Sequence, residues 1–222
     1  MKRLLRLFSI IICVVSLFNT LAFADDYTTY ADELKKLGLF NGTDIGYELD
    51  KTLTRAESAT MLVRLLGAEI TATTSKYETV LSDVPKDKWY YTYIMYCYEK
   101  GITKGTGADT FSPDDIVTSE QFVTLVLRAL GYSDTEPEIA FVTANNVGLF
   151  GTKFSRQLEE SENFLRNEMV YIAYRSLKTI TPDGEVLAVK LGRQGVLTQT
   201  QVEKFNIYEF EDINDFLDSY IE

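Results

Sequence analysis

Hydrophobic residues recur along the chain in one spacing, each time behind the same kind of predicted helix start. In the clearest copy Thr54 is followed three residues later by Glu57, and such a pair forms a capping box at a helix N-terminus. Apolar residues then fall at i, i+3, i+4 and i+7, which places them on one helix face: Ala59, Leu62, Val63 and Leu66. Gly67 indicates where this helix ends.

The same construction returns twice further along. Thr118 and Gln121 hold the capping-box positions of the second copy, and Leu165 and Glu168 hold those of the third. Because Leu165 lacks a hydroxyl, we expect the third helix to begin earlier, near Ser161. Three copies in register predict an internal repeat. Their apolar stripes are Val123, Val126, Leu127 and Leu130 in the second copy, and Val170, Ala173, Tyr174 and Leu177 in the third.

Each capped helix is preceded by another predicted helix and by a loop with glycine at both ends. A pair of helices cannot bury its apolar stripes alone, so we predict an all-α fold in which three helix-loop-helix units share one core. The aromatic stretch 89–98 would also suit a strand, but the glycine-bounded loop after it favours a helix. The predicted units are 25–70, 77–132 and 136–180, with a polar linker at 71–76.

The two ends of the chain carry their own patterns. Residues 1–24 combine a basic start, an apolar run and Ala22-Phe23-Ala24, which is typical of a secretory signal peptide. An uncleaved membrane anchor is the alternative, but the apolar run is short for a span. We predict cleavage after Ala24 and no membrane contact afterwards. Residues 181–222 form a predicted C-terminal extension, with a short helix at 198–205, an ambiguous stretch at 185–192 and an acidic amphipathic helix from Glu209.

Composition narrows the classes of function. The net charge is −11, which argues against nucleic acid and anionic lipid as partners. The chain has no His, so imidazole catalysis and His metal sites are excluded, and we predict no cofactor. Cys97 is the only cysteine after the predicted cleavage, and we expect it to be a buried apolar residue. The acidic loops 41–50 and 109–115 do not match the ligand spacing of an EF-hand.

An ordered set of short motifs resembles the S-layer homology family. The first unit carries the motif Leu53-Thr54-Arg55-Ala56-Glu57. The third unit keeps Arg166 and Glu168 but lacks the tryptophan, the Asp-Val opening and the Phe-x-Pro motif. The resemblance covers residues 25–178. The second unit carries Asp83-Val84-Pro85, Trp89-Tyr90, Gly101-Ile102, Gly105 and Phe111-Ser112-Pro113.

This resemblance implies a pseudo-threefold bundle of three repeats with grooves between them, followed here by a short helical extension. It also implies an exported bacterial protein, secreted to the cell wall or cell surface, which binds secondary cell-wall polysaccharide non-covalently. In that family the polysaccharide is often pyruvylated. The glycan-contacting residues that it implies are Arg55, Arg166, Asp83, Trp89 and Gly105.

The chemistry of these residues suits an anionic sugar. A pyruvyl ketal carries a carboxylate, which an arginine can hold by two hydrogen bonds, and a helix N-terminus such as that at Arg55 favours the same anion. Trp89 would offer a flat face to a sugar ring. The second motif has Ser119 in place of arginine, beside the acidic Glu120. We therefore expect at most two working grooves, through Arg55 and Arg166, with Arg55 favoured.

Other interpretations stay open at this point. Arg55 could be an ordinary surface arginine, Trp89 a packing residue and Asp83 a cap for the following helix or turn. The departures in the second and third motifs would suit a structural protein that binds another surface protein. The acidic cluster at 159–162 could serve a glycan hydrolase, which needs two carboxylates at a fixed separation. The repeats leave no room for a separate catalytic domain, so we predict a non-catalytic protein.

Overall fold

The computed structural model describes residues 27–78 and 80–206, and the predicted signal peptide and the predicted acidic helix from Glu209 lie outside this part of the chain. The described residues form ten α-helices and one 3-10 helix, and they contain no β-sheet, which confirms the all-α prediction. None of these helices combines the length and apolarity needed to cross a bilayer. The helices are α1 (Tyr27–Lys36), α2 (Arg55–Leu65), α3 (Glu69–Thr74), α4 (Tyr91–Glu99), α5 (Ser119–Ala129), α6 (Ala140–Asn146, after the 3-10 turn Pro137–Ile139), α7 (Thr152–Glu160), α8 (Arg166–Lys178), α9 (Leu187–Arg193) and α10 (Gln199–Asn206).

The first two capping boxes form as predicted. The Glu57 amide donates to Thr54 Oγ1 at 3.2 Å, and the Thr54 amide donates back to the Glu57 carboxylate at 2.8 Å. At α5 the Gln121 amide donates to Thr118 Oγ1 at 3.3 Å, and the Thr118 amide lies 3.4 Å from Gln121 Oε1. Each box satisfies two backbone groups that a helix terminus would otherwise leave unpaired.

The start of α8 differs from the prediction. This helix begins at Arg166 rather than near Ser161, so the expected earlier start is wrong. The Leu165 amide still donates to Glu168 Oε2 at 2.8 Å, which keeps half of the box. The Arg166 amide donates to the Lys51 carbonyl at 2.8 Å. A carbonyl from the first unit therefore pairs a backbone group of the third unit, and this contact fixes the helix start without a threonine.

The helices pair between units rather than within them. The first helix of each unit packs on the second helix of another: α1 on α8, α4 on α2, and α6 on α5. These pairings close in a cycle around a shared core, in which Leu34, Ile94 and Ala144 are fully buried. The pseudo-threefold axis itself stays a prediction.

Two helices lie where the sequence suggested none. Most of the stretch predicted as a polar linker belongs to α3, in which Ala72 is fully buried and which packs against α4. Helix α7 replaces the irregular loop that the first two units have at the same place, and its Leu158 is buried. The ambiguous stretch 185–192 contains α9, and the helix predicted at 198–205 is confirmed as α10.

Candidate functional site

A groove of about 320 Å³ lies between the start of α2, the loop after α4, and α5. The charged residues of its lining are all cations, Arg55, Lys104 and Arg128, although the chain is strongly acidic. Gly105 lies in the same wall, so two of the predicted site residues, Arg55 and Gly105, come together here. The remaining lining residues are Thr103, Thr106, Gln121, Thr124, Leu125 and Pro137.

Arg55 is held firmly in this groove. Its Nε donates to the Phe111 carbonyl at 2.8 Å, its Nη1 lies 3.3 Å from Gln121 Oε1, and its guanidinium lies 4.7 Å from the centre of the Phe111 ring. Only 5% of the residue is exposed, so the interpretation as an ordinary surface arginine is wrong. Burial lowers the pKa of the guanidinium, while Asp115 and Asp83 oppose that shift. Its hydrogen-bond acceptors are neutral, so these contacts do not cancel its positive charge.

The amide groups at the start of α2 are not free for an anion. The Arg55 amide donates to the Asp115 carbonyl at 2.9 Å, and the Ala56 amide donates to the Pro113 carbonyl at 3.0 Å. The expectation that these amides would help to bind an anion is therefore wrong. An anion in the groove would depend on the cationic side chains.

Lys104 and Arg128 hold an acid of the chain itself. Arg128, with 6% of its side chain exposed, donates from Nε to the Thr135 carbonyl at 2.9 Å and from Nη2 to Glu136 Oε2 at 2.8 Å. The Lys104 ammonium pairs with the other oxygen of Glu136. These contacts, the Lys104 hydrogen bond first, lower the pKa of Glu136. Sequence reasoning missed both cations as groove residues. For Arg128 the sequence held one signal: like Arg64 and Arg175 in the other units, it lies ten residues after the capping position of its helix.

Gly105 shapes the wall of the groove. Its φ is +82°, and a Cβ at this position would lie 2.4 Å from the Thr110 carbonyl oxygen. A side chain is therefore excluded by both strain and contact. The groove has bare backbone at this point, close to the cations.

Asp83 acts on the groove through the backbone. Its carboxylate accepts from the Phe111 amide at 2.9 Å and from the Ser112 amide at 2.7 Å. The interpretation as a cap for the following helix or turn is wrong, because these amides lie 28 and 29 positions along the chain. Asp83 thereby fixes Phe111, whose carbonyl in turn holds Arg55.

Trp89 lies outside the groove lining. Its side chain is 59% exposed, so the interpretation as a packing residue is wrong. Its ring meets the buried Tyr90 ring nearly at right angles, with 5.4 Å between centroids. Helix α4 begins at Tyr91, two residues later, and not at Trp89 as predicted. The Trp89 ring is thus largely exposed, but it does not line the Arg55 groove.

Arg166 has a different electrostatic environment from Arg55. Its Nη2 lies 2.5 Å from Glu57 Oε1, and 12% of its side chain is exposed. Glu57 is the third helical residue in the capping box of α2, and Gln121 holds the same position in α5. Arg166 therefore meets a glutamate where Arg55 meets a glutamine. Arg166 is thus directly paired with a carboxylate of a neighbouring unit, whereas Arg55 is hydrogen-bonded to neutral groups and feels the charges of Asp83 and Asp115 only without direct contact.

The third equivalent position has lost its cation. Ser119 stands there, and its hydroxyl donates to Glu120 at 3.3 Å. Glu168 is buried, and desolvation raises its pKa. A second cavity of about 440 Å³ adjoins Glu168 and is lined by both signs of charge, so it lacks the uniformly cationic lining of the first groove. Its lining is Lys153, Arg156, Gln157, Glu160, Ser161 and Glu168.

The sequence also contains cysteine and possible metal ligands. Cys97 is buried as predicted, and burial raises the pKa of its thiol to about 12. Across residues 27–78 and 80–206, no three His, Cys, Asp or Glu side chains come together as a metal site would require.

Comparison with known proteins identifies the second unit. Residues 81–123 match the S-layer homology domain family. The chain is 36% identical over 115 residues to the middle cell wall protein of Brevibacillus brevis, covering 51% of this chain and 11% of that protein. It is 30% identical over 165 residues to a cell surface protein of Thermoanaerobacter kivui, covering 67% and 22%. It is also 32% identical over 106 residues to an endoglucanase of a Bacillus species, covering 43% and 11%. The shared segment is a small part of each relative.

Proposed function

Because the chain is an S-layer homology domain protein, we propose that it attaches non-covalently to the bacterial cell wall by binding an anionic wall polysaccharide in the groove at Arg55. The observation that carries this proposal is Arg55 in the lining of that groove, held by two neutral hydrogen-bond acceptors in a chain of net charge −11. The general field of such a chain repels an anion. A fixed arginine that has no direct ion-pair partner and lines a concave surface therefore favours a specific anionic ligand there.

The ligand contacts follow from the groove's geometry. Arg55 is held in place by neutral acceptors, so its charge is available to a carboxylate such as that of a pyruvyl ketal. Gly105 lets the sugar approach the backbone, and Asp83 acts by fixing the Phe111 carbonyl that orients Arg55. Trp89 extends the contact surface outside the groove by stacking on a further sugar.

The working groove is the one at Arg55. The equivalent place at Arg166 is neutralised by Glu57, so Arg166 contributes weakly to glycan binding and chiefly joins the third unit to the first. At the third equivalent position, Ser119 replaces the arginine and Glu168 is an acid, so this position has no fixed cation. We therefore infer one principal glycan site made by the first two units, 25–70 and 77–132, while the degenerate third unit, 136–180, completes the core.

The relatives support attachment rather than catalysis. Segments similar to this chain occur in surface proteins and in an endoglucanase, and in each case they form a small share of the protein. A segment shared by such different proteins suits a common attachment role. We propose a non-catalytic protein that is exported by its N-terminal 24 residues and retained at the cell surface.

A second candidate is assembly with another surface protein. Arg166 is paired with Glu57, and Ser119 replaces the arginine of the motif. Both positions therefore lack the free positive charge that an anionic glycan requires, which favours this candidate. In this alternative the degenerate units would contact protein while the fold is retained.

Co-sedimentation with purified walls separates the two candidates. The protein is mixed with intact walls and with walls whose secondary polysaccharide has been extracted by acid. We expect binding to intact walls only, and loss of most binding in Arg55→Ala. Arg193→Ala is the matched control, since Arg193 is an exposed arginine outside the groove. Equal binding to both kinds of wall, or full binding by folded Arg55→Ala, would exclude glycan attachment through this groove.

A further inference from the structure

Two of the cations that line the groove at Arg55 are paired with an anion supplied by the chain itself. Glu136 is the first residue of the third unit and precedes the 3-10 turn Pro137–Ile139, and both of its carboxylate oxygens are engaged by groove cations. One oxygen pairs with Lys104 and the other with Arg128, so two of the three cations in the lining already have a counter-ion. Arg55 has neutral hydrogen-bond acceptors.

The backbone beside Glu136 is anchored, whereas its side chain is partly exposed to solvent. The Thr135 carbonyl accepts from Arg128 Nε, and Thr135 itself is buried, so the backbone beside Glu136 is anchored. The Glu136 side chain is 47% exposed. A carboxylate in this setting can be displaced, but a competing anion must first break two charge-assisted hydrogen bonds.

On the basis of the function proposed above, we propose that Glu136 is a specificity determinant that withholds Lys104 and Arg128 from the ligand. The groove then offers one cation without a direct ion-pair partner, Arg55, to a glycan with a single isolated carboxylate. A polymer with closely spaced phosphates, of the glycerol phosphate type, gains little, because the second and third cations that it would need are occupied. Glu136 also repels any anion that approaches them.

Glu136→Gln tests this assignment, because glutamine retains an acceptor for Arg128 but removes the charge. Glu138→Gln is the matched control: Glu138 is exposed, lies two residues away and carries the same formal charge, but Lys104 and Arg128 pair with Glu136 instead. Thermal melts verify that both variants are folded. The ligands are inorganic sulfate, a glycerol phosphate polymer and intact cell walls.

Sulfate binding is followed by the NMR shift of the Arg128 Nε–H, which its hydrogen bond to Thr135 protects. We expect sulfate to bind Glu136→Gln about fivefold more tightly than it binds the unchanged protein or Glu138→Gln. The glycerol phosphate polymer should gain at least as much. Equal sulfate affinity in all three proteins would overturn the assignment.

The wall arm distinguishes this inference from the proposed function. Tighter wall binding by Glu136→Gln, with no change in Glu138→Gln, supports both. If none of the three proteins binds walls but the sulfate difference persists, glycan attachment fails while the role of Glu136 stands. If the unchanged protein binds walls and Glu136→Gln binds the glycerol phosphate polymer no better, the attachment stands and the specificity role fails.

Discussion

Gln121→Glu should convert the environment of Arg55 into that of Arg166. Gln121 Oε1 lies 3.3 Å from Arg55 Nη1, and the equivalent Glu57 oxygen lies 2.5 Å from Arg166. A glutamate at 121 needs no new backbone position, because it keeps the capping-box contact to Thr118. The substitution adds one negative charge beside Arg55, where the present acceptor is neutral.

The expected gain in stability is modest. Opposite charges 3.3 Å apart attract by about 5 kcal/mol at an effective dielectric constant of about 20, but desolvation offsets most of this energy. The net gain is the difference between a neutral and a charge-assisted hydrogen bond, about 1 kcal/mol. For a domain of this size that corresponds to a rise in Tm of about 2–4 °C.

The expected effect on binding is larger and opposite in sign. A ligand carboxylate on Arg55 would lie within about 5 Å of the new carboxylate, and the repulsion at that distance lowers the affinity at least tenfold, about 1.4 kcal/mol. The assay combines a thermal melt with wall co-sedimentation. Asn163→Asp is the control, since it adds the same charge at an exposed loop residue away from the groove. A more stable protein that binds walls as well as before would refute the role given to Arg55.

Three further predictions concern stability and the exposed aromatic. Glu168→Gln should stabilise the protein by about 1 kcal/mol at pH 7. The pKa of Glu168 is raised above 4.5 in the folded state. The ionised carboxylate therefore destabilises the fold increasingly as pH rises through that raised pKa, and this destabilisation vanishes below 4.5. Thermal melts of both proteins at pH 4 and pH 7 measure the difference, and an equal gain in stability at both pH values would contradict this prediction. Gly105→Ala should destabilise by about 2 kcal/mol in denaturant titration, and more than Gly101→Ala, because Gly101 has a similar φ but a Cβ added there would meet no atom within 4 Å. Trp89→Ala should leave Tm within about 2 °C, because the side chain is exposed, yet weaken wall sedimentation severalfold, with Trp89→Phe restoring it; unchanged sedimentation would remove Trp89 from the binding surface.

Helices that begin with a capping box were predictable, because the capping box depends only on residues close together in the sequence. The capping boxes at Thr54 and Thr118 depend on residues three positions apart, and both form. Helix α3 was missed because its residues after Glu69 are mostly threonine and alanine, and its stability comes from packing against α4. Helix α7 was missed because only two of its residues, Ser155 and Leu158, are buried, with Phe154 partly buried against the core.

The site was less predictable, because its contacts join distant parts of the chain. Arg55 and Arg166 look alike in sequence, yet one meets a neutral glutamine 66 positions away and the other meets a glutamate 109 positions away. Whether a carboxylate pairs with each arginine depends on how the units pack against one another. Lys104 and Glu136 likewise meet only through the cyclic pairing of the helices.

The most direct test of the account is a calorimetric titration of the protein with soluble wall-polysaccharide fragments, before and after chemical reduction of their carboxyl groups to alcohols. Reduction removes the negative charge and leaves the sugar backbone in place. We predict saturable binding of the native fragments that is lost after reduction and is equally absent in Arg55→Ala. Equal affinity for native and reduced fragments would contradict the claim that the Arg55 groove recognises a carboxylate.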